Sequence, residues 1–149
     1  STYFIADELA KEVDFFSIGT NDLIQYLLAV DRGNELIADM FQQFHPAVIK
    51  TIKRVIDTAH RNEIPVSICG EMASNPMAAV MLIGLGADEL SVVPSIFPEI
   101  KSIIRCLSFS TVKEMADNLL SFSTESEIRE KLTSFYEENV SIKFSRPSS

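Results

Sequence analysis

Three short apolar runs, residues 13–18, 66–69 and 90–93, each suit a buried strand, and each is separated from the next by residues with helical periodicity. Strands spaced this far apart cannot be joined by tight hairpins. They need crossover connections, and crossovers imply a parallel sheet flanked by helices. The flanking pattern is consistent along the chain. Residues 1–12 read as the end of a helix, with Phe4, Ile5, Leu9 and Val13 at helical spacing. Residues 22–30 and 35–44 read as two further helical stretches. Pro46 then opens an amphipathic helix with Val48, Ile49, Ile52, Val55, Ile56 and Ala59 on one face. Residues 78–85 are apolar nearly all round, which predicts a buried helix, ended by Gly84 and Gly86.

After the third run the pattern is wholly helical. Residues 98–107 place Ile100, Ile103, Ile104 and Leu107 inward. Two capping boxes follow, Thr111 with Glu114 and Thr124 with Glu127, each opening a helix. From Ser141 the chain becomes a polar tail. Three parallel strands cannot close a barrel, and they leave two edges open. The expected fold is therefore α/β, the C-terminal portion of a larger (β/α)8 barrel of the TIM type, with extra C-terminal helices. A small three-layer α/β domain is the alternative. Residues 1–140 would form the domain and 141–149 the tail. The chain begins without methionine and without an N-cap for its first helix, so a fragment is expected.

Charge narrows the partners. A formal net charge of −8 argues against nucleic acid, whose phosphates need a basic footprint. Any anionic substrate has to be held locally, by a few arginines, helix N-termini or a metal. No apolar run approaches the roughly 18 residues of a membrane span, and the N-terminus does not read as a signal peptide. Cys69 and Cys106 make no disulfide framework, which fits a reduced, cytosolic setting.

The chemistry-bearing residues cluster where strands end. The first strand stops at Gly19-Thr20-Asn21-Asp22, and the second at Cys69-Gly70-Glu71. In parallel α/β architectures ligands bind at that end. Gly19 permits a sharp turn, and Asp22 offers a hard oxygen suited to Mg²⁺ or Mn²⁺. The competing reading is that Asn21 or Asp22 simply caps the following helix. Arg32 could grip a phosphate with two prongs, or could pair with Asp31 or Glu35 at the surface. Cys69 could donate a proton or act as a nucleophile, or could be a small buried residue. His45 and His60 have no partner at metal-ligand spacing and read as helix-end or surface residues. Met72, Met77, Met81 and Met115 read as core, as does Cys106.

Three spaced motifs resemble a known family. They are residues 14–23, ending in Gly19-Thr20-Asn21-Asp22-Leu23, then Ala29-Val30-Asp31-Arg32-Gly33-Asn34, and then Ile68-Cys69-Gly70-Glu71-Met72-Ala73. Together they resemble the C-terminal phosphoenolpyruvate-binding region of the Enzyme I family, the phosphoenolpyruvate–protein phosphotransferases of bacterial sugar transport. The likeness continues through Gly86-Ala87-Asp88-Glu89-Leu90-Ser91 and reaches to about Glu138. Pyruvate phosphate dikinase and phosphoenolpyruvate synthase share the first and third motifs, while the Asp-Arg-Gly-Asn run is more like Enzyme I. That run also speaks against a carbon–carbon lyase of the pyruvate family.

The resemblance implies roles. Asn21 and Asp22 would bind phosphoenolpyruvate, Asp22 would also hold a catalytic Mg²⁺, and Arg32 would grip the phosphate. Cys69 would protonate the methylene carbon when enolpyruvate becomes pyruvate. It further implies a cytoplasmic homodimer that passes its phosphoryl group, through a histidine on a separate N-terminal domain, to the phosphocarrier protein HPr. A second metal-binding glutamate would precede Ser1, and further phosphate-binding arginines would lie earlier still. The chain alone is thus expected to carry about half a site and to be inactive. A non-catalytic dimerisation module is the competing expectation.

Overall fold

The computed structural model describes residues 2–31 and 40–141. After a 3-10 turn at Thr2–Ile5, the elements are α1 (Ala6–Leu9), β1 (Phe16–Gly19), α2 (Thr20–Leu28), α3 (Pro46–Arg61) and β2 (Val66–Cys69). A 3-10 turn at Met72–Ser74 leads to α4 (Pro76–Leu85), β3 (Glu89–Leu90), α5 (Phe97–Cys106), α6 (Phe109–Leu119) and α7 (Glu125–Tyr136), and the described chain ends in a π-helical turn at Glu137–Ser141. Among the described residues the sheet has three strands in the order β1-β2-β3, all parallel, and it is not closed into a barrel. No helix among the described residues is long and apolar enough to cross a membrane.

The sheet's two faces differ as period-2 alternation requires. Ile18, Val66 and Ile68 are buried and join the helices in one core with Ile24, Val48, Ile52, Ile56 and Leu82. The other face presents Ser17, Ser67 and Glu89, which with Asp14, Phe15 and Pro65 line an open hollow of about 350 Å³.

Helix α4 is the hub, packing on α3, α5, α6 and α7. Its Ala78, Ala79, Val80, Met81, Leu82 and Leu85 are all buried, as an all-apolar helix predicts. Helix α3 buries Val48, Ile49, Ile52, Ile56 and Ala59 along one stripe, as expected. Its N-cap is His45, whose Nδ1 accepts from Ala47 N–H at 3.1 Å. Helix α7 carries the expected capping box between Thr124 and Glu127.

Several boundaries differ from the sequence reading. The first strand starts at Phe16 rather than residue 13, with the Phe16 N–H donating to the Pro65 carbonyl. The partner strand emerges only after that proline, so Val13 and Phe15 have nothing to pair with and stay exposed. The third strand is Glu89–Leu90, not residues 90–93. Beyond Ser91, whose N–H reaches the Ile68 carbonyl, β2 has turned away, and Val93 N–H bonds Ser74 Oγ instead. At the N-terminus Phe4 is 81% and Ile5 50% exposed, while Ala6 and Ala10 are buried. A 3-10 turn running into a single α-turn breaks the 3.6-residue spacing that the stripe assumed. In α5 only Ile100 and Ile103 are buried; Ile104 lies at the exposed edge of that stripe and Leu107 is half-buried. Cys106 is half-buried rather than core.

The first of the two capping boxes does not form. Helix α6 begins at Phe109, so Thr111 lies inside it, and the extended residue is Ser108, whose Oγ contacts Ser110 Oγ at 2.7 Å. Of the helical stretch expected at residues 35–44, the described part bends through a turn instead, with His45 N–H bonded to the Gln42 carbonyl. Of the polar tail expected at residues 141–149, Ser141 closes the π-helical turn and residues 142–149 lie outside the described residues.

Gly84 does not end its helix. Gly86 does, in the left-handed region at φ +106, while Gly84 lies inside α4 where α6 crosses. A Cβ on Gly84 would stand 2.5 Å from the Val112 carbonyl oxygen and 2.7 Å from Ala116 Cβ. Gly84→Ala is therefore expected to cost about 1–3 kcal/mol by forcing the two helices apart. At roughly 2–4 °C per kcal/mol for a chain of this size, thermal unfolding should shift down by several degrees. A variant that melts with the wild type would contradict so close an approach.

Candidate active site

The C-terminal ends of β1 and β2 lie side by side, with Gly19 in register with Cys69. This brings Asn21 and Cys69, widely separated in sequence, to one end of the sheet. The capping alternative for Asn21 and Asp22 does not hold. Helix α2 starts at Thr20, its N-cap is Gly19 without a side-chain cap, and both residues stand in the first turn.

Their side chains are used differently. Asn21 Oδ1 accepts the Glu71 N–H at 3.1 Å, which ties the helix start to the turn after β2. With its carbonyl oxygen committed to a donor, the amide is oriented so that Nδ2 remains as the donor end. Asp22 is exposed. Among the described residues no group of three or more His, Cys, Asp or Glu side chains converges to hold a metal. Asp22 alone therefore offers one hard carboxylate oxygen, the kind of donor found in Mg²⁺ sites where one or two carboxylates are completed by water and substrate phosphate.

Cys69 is half-buried, with Sγ 3.6 Å from the Ile18 carbonyl oxygen, a weak S–H contact. Thr20 Oγ1 donates to the Cys69 carbonyl at 2.9 Å, and Gly70 follows at φ +104. Glu71 is exposed. Arg32 lies outside the described residues, so Asn21, Asp22 and Cys69 are the expected site residues that the fold positions.

Two contributors escape a reading of spacing alone. Thr20 is fully buried, and its hydroxyl crosses between strand ends. A threonine directly after a strand-ending glycine was the available signal. Asp88, just before β3, pins the opposite end of the sheet. Its Oδ2 accepts the Val66 N–H at 2.8 Å and lies 2.9 Å from His60 Nε2. Partial burial pushes this carboxyl up, but the His60 and Val66 hydrogen bonds and the charge of His60 outweigh that and hold it below the ordinary aspartate value. His60 is therefore a structural partner at a helix end and stands away from the Cys69 end of the sheet.

The chain is 51% identical over 116 residues to the phosphoenolpyruvate-protein phosphotransferase of Buchnera aphidicola subsp. Schizaphis graminum, covering 78% of this chain and 20% of that protein. It is 50% identical over 112 residues to the protein of the same name from Haemophilus influenzae, covering 75% and 20%. The Borreliella burgdorferi protein of that name is 42% identical over 120 residues, covering 80% and 21%. The chain thus spans about a fifth of the length of the curated relatives it matches. Residues 1–109 match the family model described as PEP-utilising enzyme, PEP-binding domain, and that stretch contains both strand ends with Asn21, Asp22 and Cys69, so the chain belongs to the PEP-utilising enzyme family.

Proposed function

We propose that this chain is the C-terminal part of a phosphoenolpyruvate–protein phosphotransferase, and that residues 1–140 belong to a TIM-type barrel of which it holds three strands. The single observation that supports this best is the meeting of Asn21 and Cys69 at adjacent strand ends, within the matched PEP-binding stretch. The sheet's alternation agrees with a barrel segment: helices cover one face, and the small or polar residues Ser17, Ser67 and Glu89 occupy the other. The relatives' printed names favour the phosphotransferase over a dikinase or synthase.

In this reading the phosphoenolpyruvate phosphoryl group leaves for a histidine outside this chain, and the P–O bond electrons remain on the enol oxygen. The outward donors of Asn21 hold the anionic substrate, and the Arg32 guanidinium grips the phosphate in two-pronged fashion. Mg²⁺, held in part by Asp22, would neutralise charge developing on the phosphoryl oxygens. The enolate collapses to a ketone as its methylene carbon takes the proton from Cys69 Sγ, and the resulting thiolate regains a proton from solvent. Pyruvate leaves. The phosphoryl group passes onward to HPr. A cytoplasmic homodimer belongs to the same proposal.

The test is magnesium dependence in the full-length protein carrying this chain. Wild type should form pyruvate from phosphoenolpyruvate with added Mg²⁺. Asp22→Asn, which keeps the shape but weakens the ligand, should raise the Mg²⁺ concentration for half-maximal rate by at least about tenfold. An unchanged Mg²⁺ requirement would remove Asp22 from the metal, and a wild type that forms no pyruvate would remove the reaction.

A further inference from the structure

We propose that Thr20 is a positioning residue for Cys69, acting with Asn21 as a clasp that fixes the backbone on either side of Gly70. This rests on the role given to Cys69 above. The clasp is built from consecutive residues reaching consecutive groups. Thr20 Oγ1 donates to the Cys69 carbonyl at 2.9 Å, and Asn21 Oδ1 accepts the Glu71 N–H at 3.1 Å. The two bonds hold the peptide planes before and after Gly70, where the ladder between β1 and β2 has run out. Thr20 is 0% exposed, so its hydroxyl has no solvent to turn to and is committed to this bond.

Gly70 shows that the close approach is required. A Cβ there would lie 2.5 Å from Thr20 Oγ1 and 3.2 Å from Asn21 Oδ1. Only glycine lets the turn come near enough for both side chains to bond it. The thiol itself is held by less, a 3.6 Å contact with the Ile18 carbonyl. The arrangement thus couples a fixed backbone to a lightly held proton. A proton donor needs that combination: Cα and Cβ set where the sulfur can reach, and the S–H must leave its resting acceptor cheaply.

The helix start does not account for the threonine. Capping uses an N-cap side chain to reach the helix's own N–H groups. Thr20 sits one residue inside α2 and points its hydroxyl across to the other strand instead.

Thr20→Val removes the hydroxyl at nearly constant shape, and Thr20→Ser retains it. Each is compared with wild type in the full-length protein for kcat and KM of pyruvate formation. The rate at which iodoacetamide alkylates Cys69 at fixed pH is measured in parallel. In Thr20→Val, kcat should fall about tenfold to a hundredfold, with KM for phosphoenolpyruvate within about threefold, because a displacement of about 1 Å at the donor costs rate and not affinity. Cys69 alkylation should change at least about threefold, and Thr20→Ser should restore both. If the valine variant does not fold, Thr20→Ala carries the same two measurements. Alkylation that stays at the wild-type rate, whether or not kcat falls, overturns the clasp. Alkylation that shifts while Cys69→Ala retains full turnover leaves the clasp standing and overturns the function assigned to Cys69.

Discussion

Cys69→Ala in the full-length protein should lower pyruvate formation from phosphoenolpyruvate by about 10²–10⁴-fold, the usual contribution of a general acid, while substrate affinity stays within a few-fold. The separation follows from where Cys69 stands. Its side chain occupies the strand end beside Gly19, and the groups assigned to substrate and metal binding, Asn21, Asp22 and Arg32, come from other segments. Alanine fits the same backbone, and the clasp bonds use the Cys69 carbonyl and the Glu71 N–H, neither of which depends on the thiol. The half-buried cysteine adds little to the core, so the fold should survive. Steady-state pyruvate release, together with direct titration of phosphoenolpyruvate, measures the two quantities. Turnover at the wild-type rate would take the proton-donor role away from Cys69, and a matching loss of affinity would make it a binding residue.

How much was legible before the structure depends on which physical effect each feature reports. Burial patterns were legible because they summarise the whole environment of an element: the all-apolar 78–85 run became the hub helix, and the stripe of α3 became the core face. The placing of Asn21 beside Cys69 was legible too, since parallel strands put their C-terminal ends together whatever the loops do. Strand ends were not. The Pro65 carbonyl fixes where β1 begins and the turn at Gly70 limits β3, and both are properties of the partner strand.

Glycines were the least legible of all. Gly84 and Gly86 stand two residues apart and read alike, yet one sits in a left-handed cap and the other under a carbonyl of α6. Sequence shows that a side chain is missing and not what occupies its place. Thr20 escaped for a related reason. Its place after the strand-ending Gly19 marks the position, but its partner lies 49 residues away, and local spacing does not name that partner.

Gly70→Ala should destabilise the protein more than Gly84→Ala, which meets a similar steric clash without a positive φ. Two costs fall on the same carbon. The backbone at φ +104 lies in a region that L side chains rarely adopt, worth roughly 1–3 kcal/mol of strain. The added methyl would also lie 2.5 Å from Thr20 Oγ1, a buried hydroxyl held on the Cys69 carbonyl, so relief requires breaking that bond or pushing the strand ends apart. Overpacking of this kind adds about 1–3 kcal/mol. Together these give roughly 2–6 kcal/mol, a large share of the 5–15 kcal/mol by which domains are stable. Folded protein that survives should also lose turnover, because the shift acts directly on the residue carrying the thiol. Adding Thr20→Ser, which trims the methyl but keeps the hydroxyl, should recover little, whereas Thr20→Gly in the Gly70→Ala background should recover part of the stability and none of the activity. Denaturant unfolding of the single and double variants measures the coupling. Strictly additive effects at these two positions would mean that the turn and the helix start do not touch as described, and the clasp on Cys69 would fall with them.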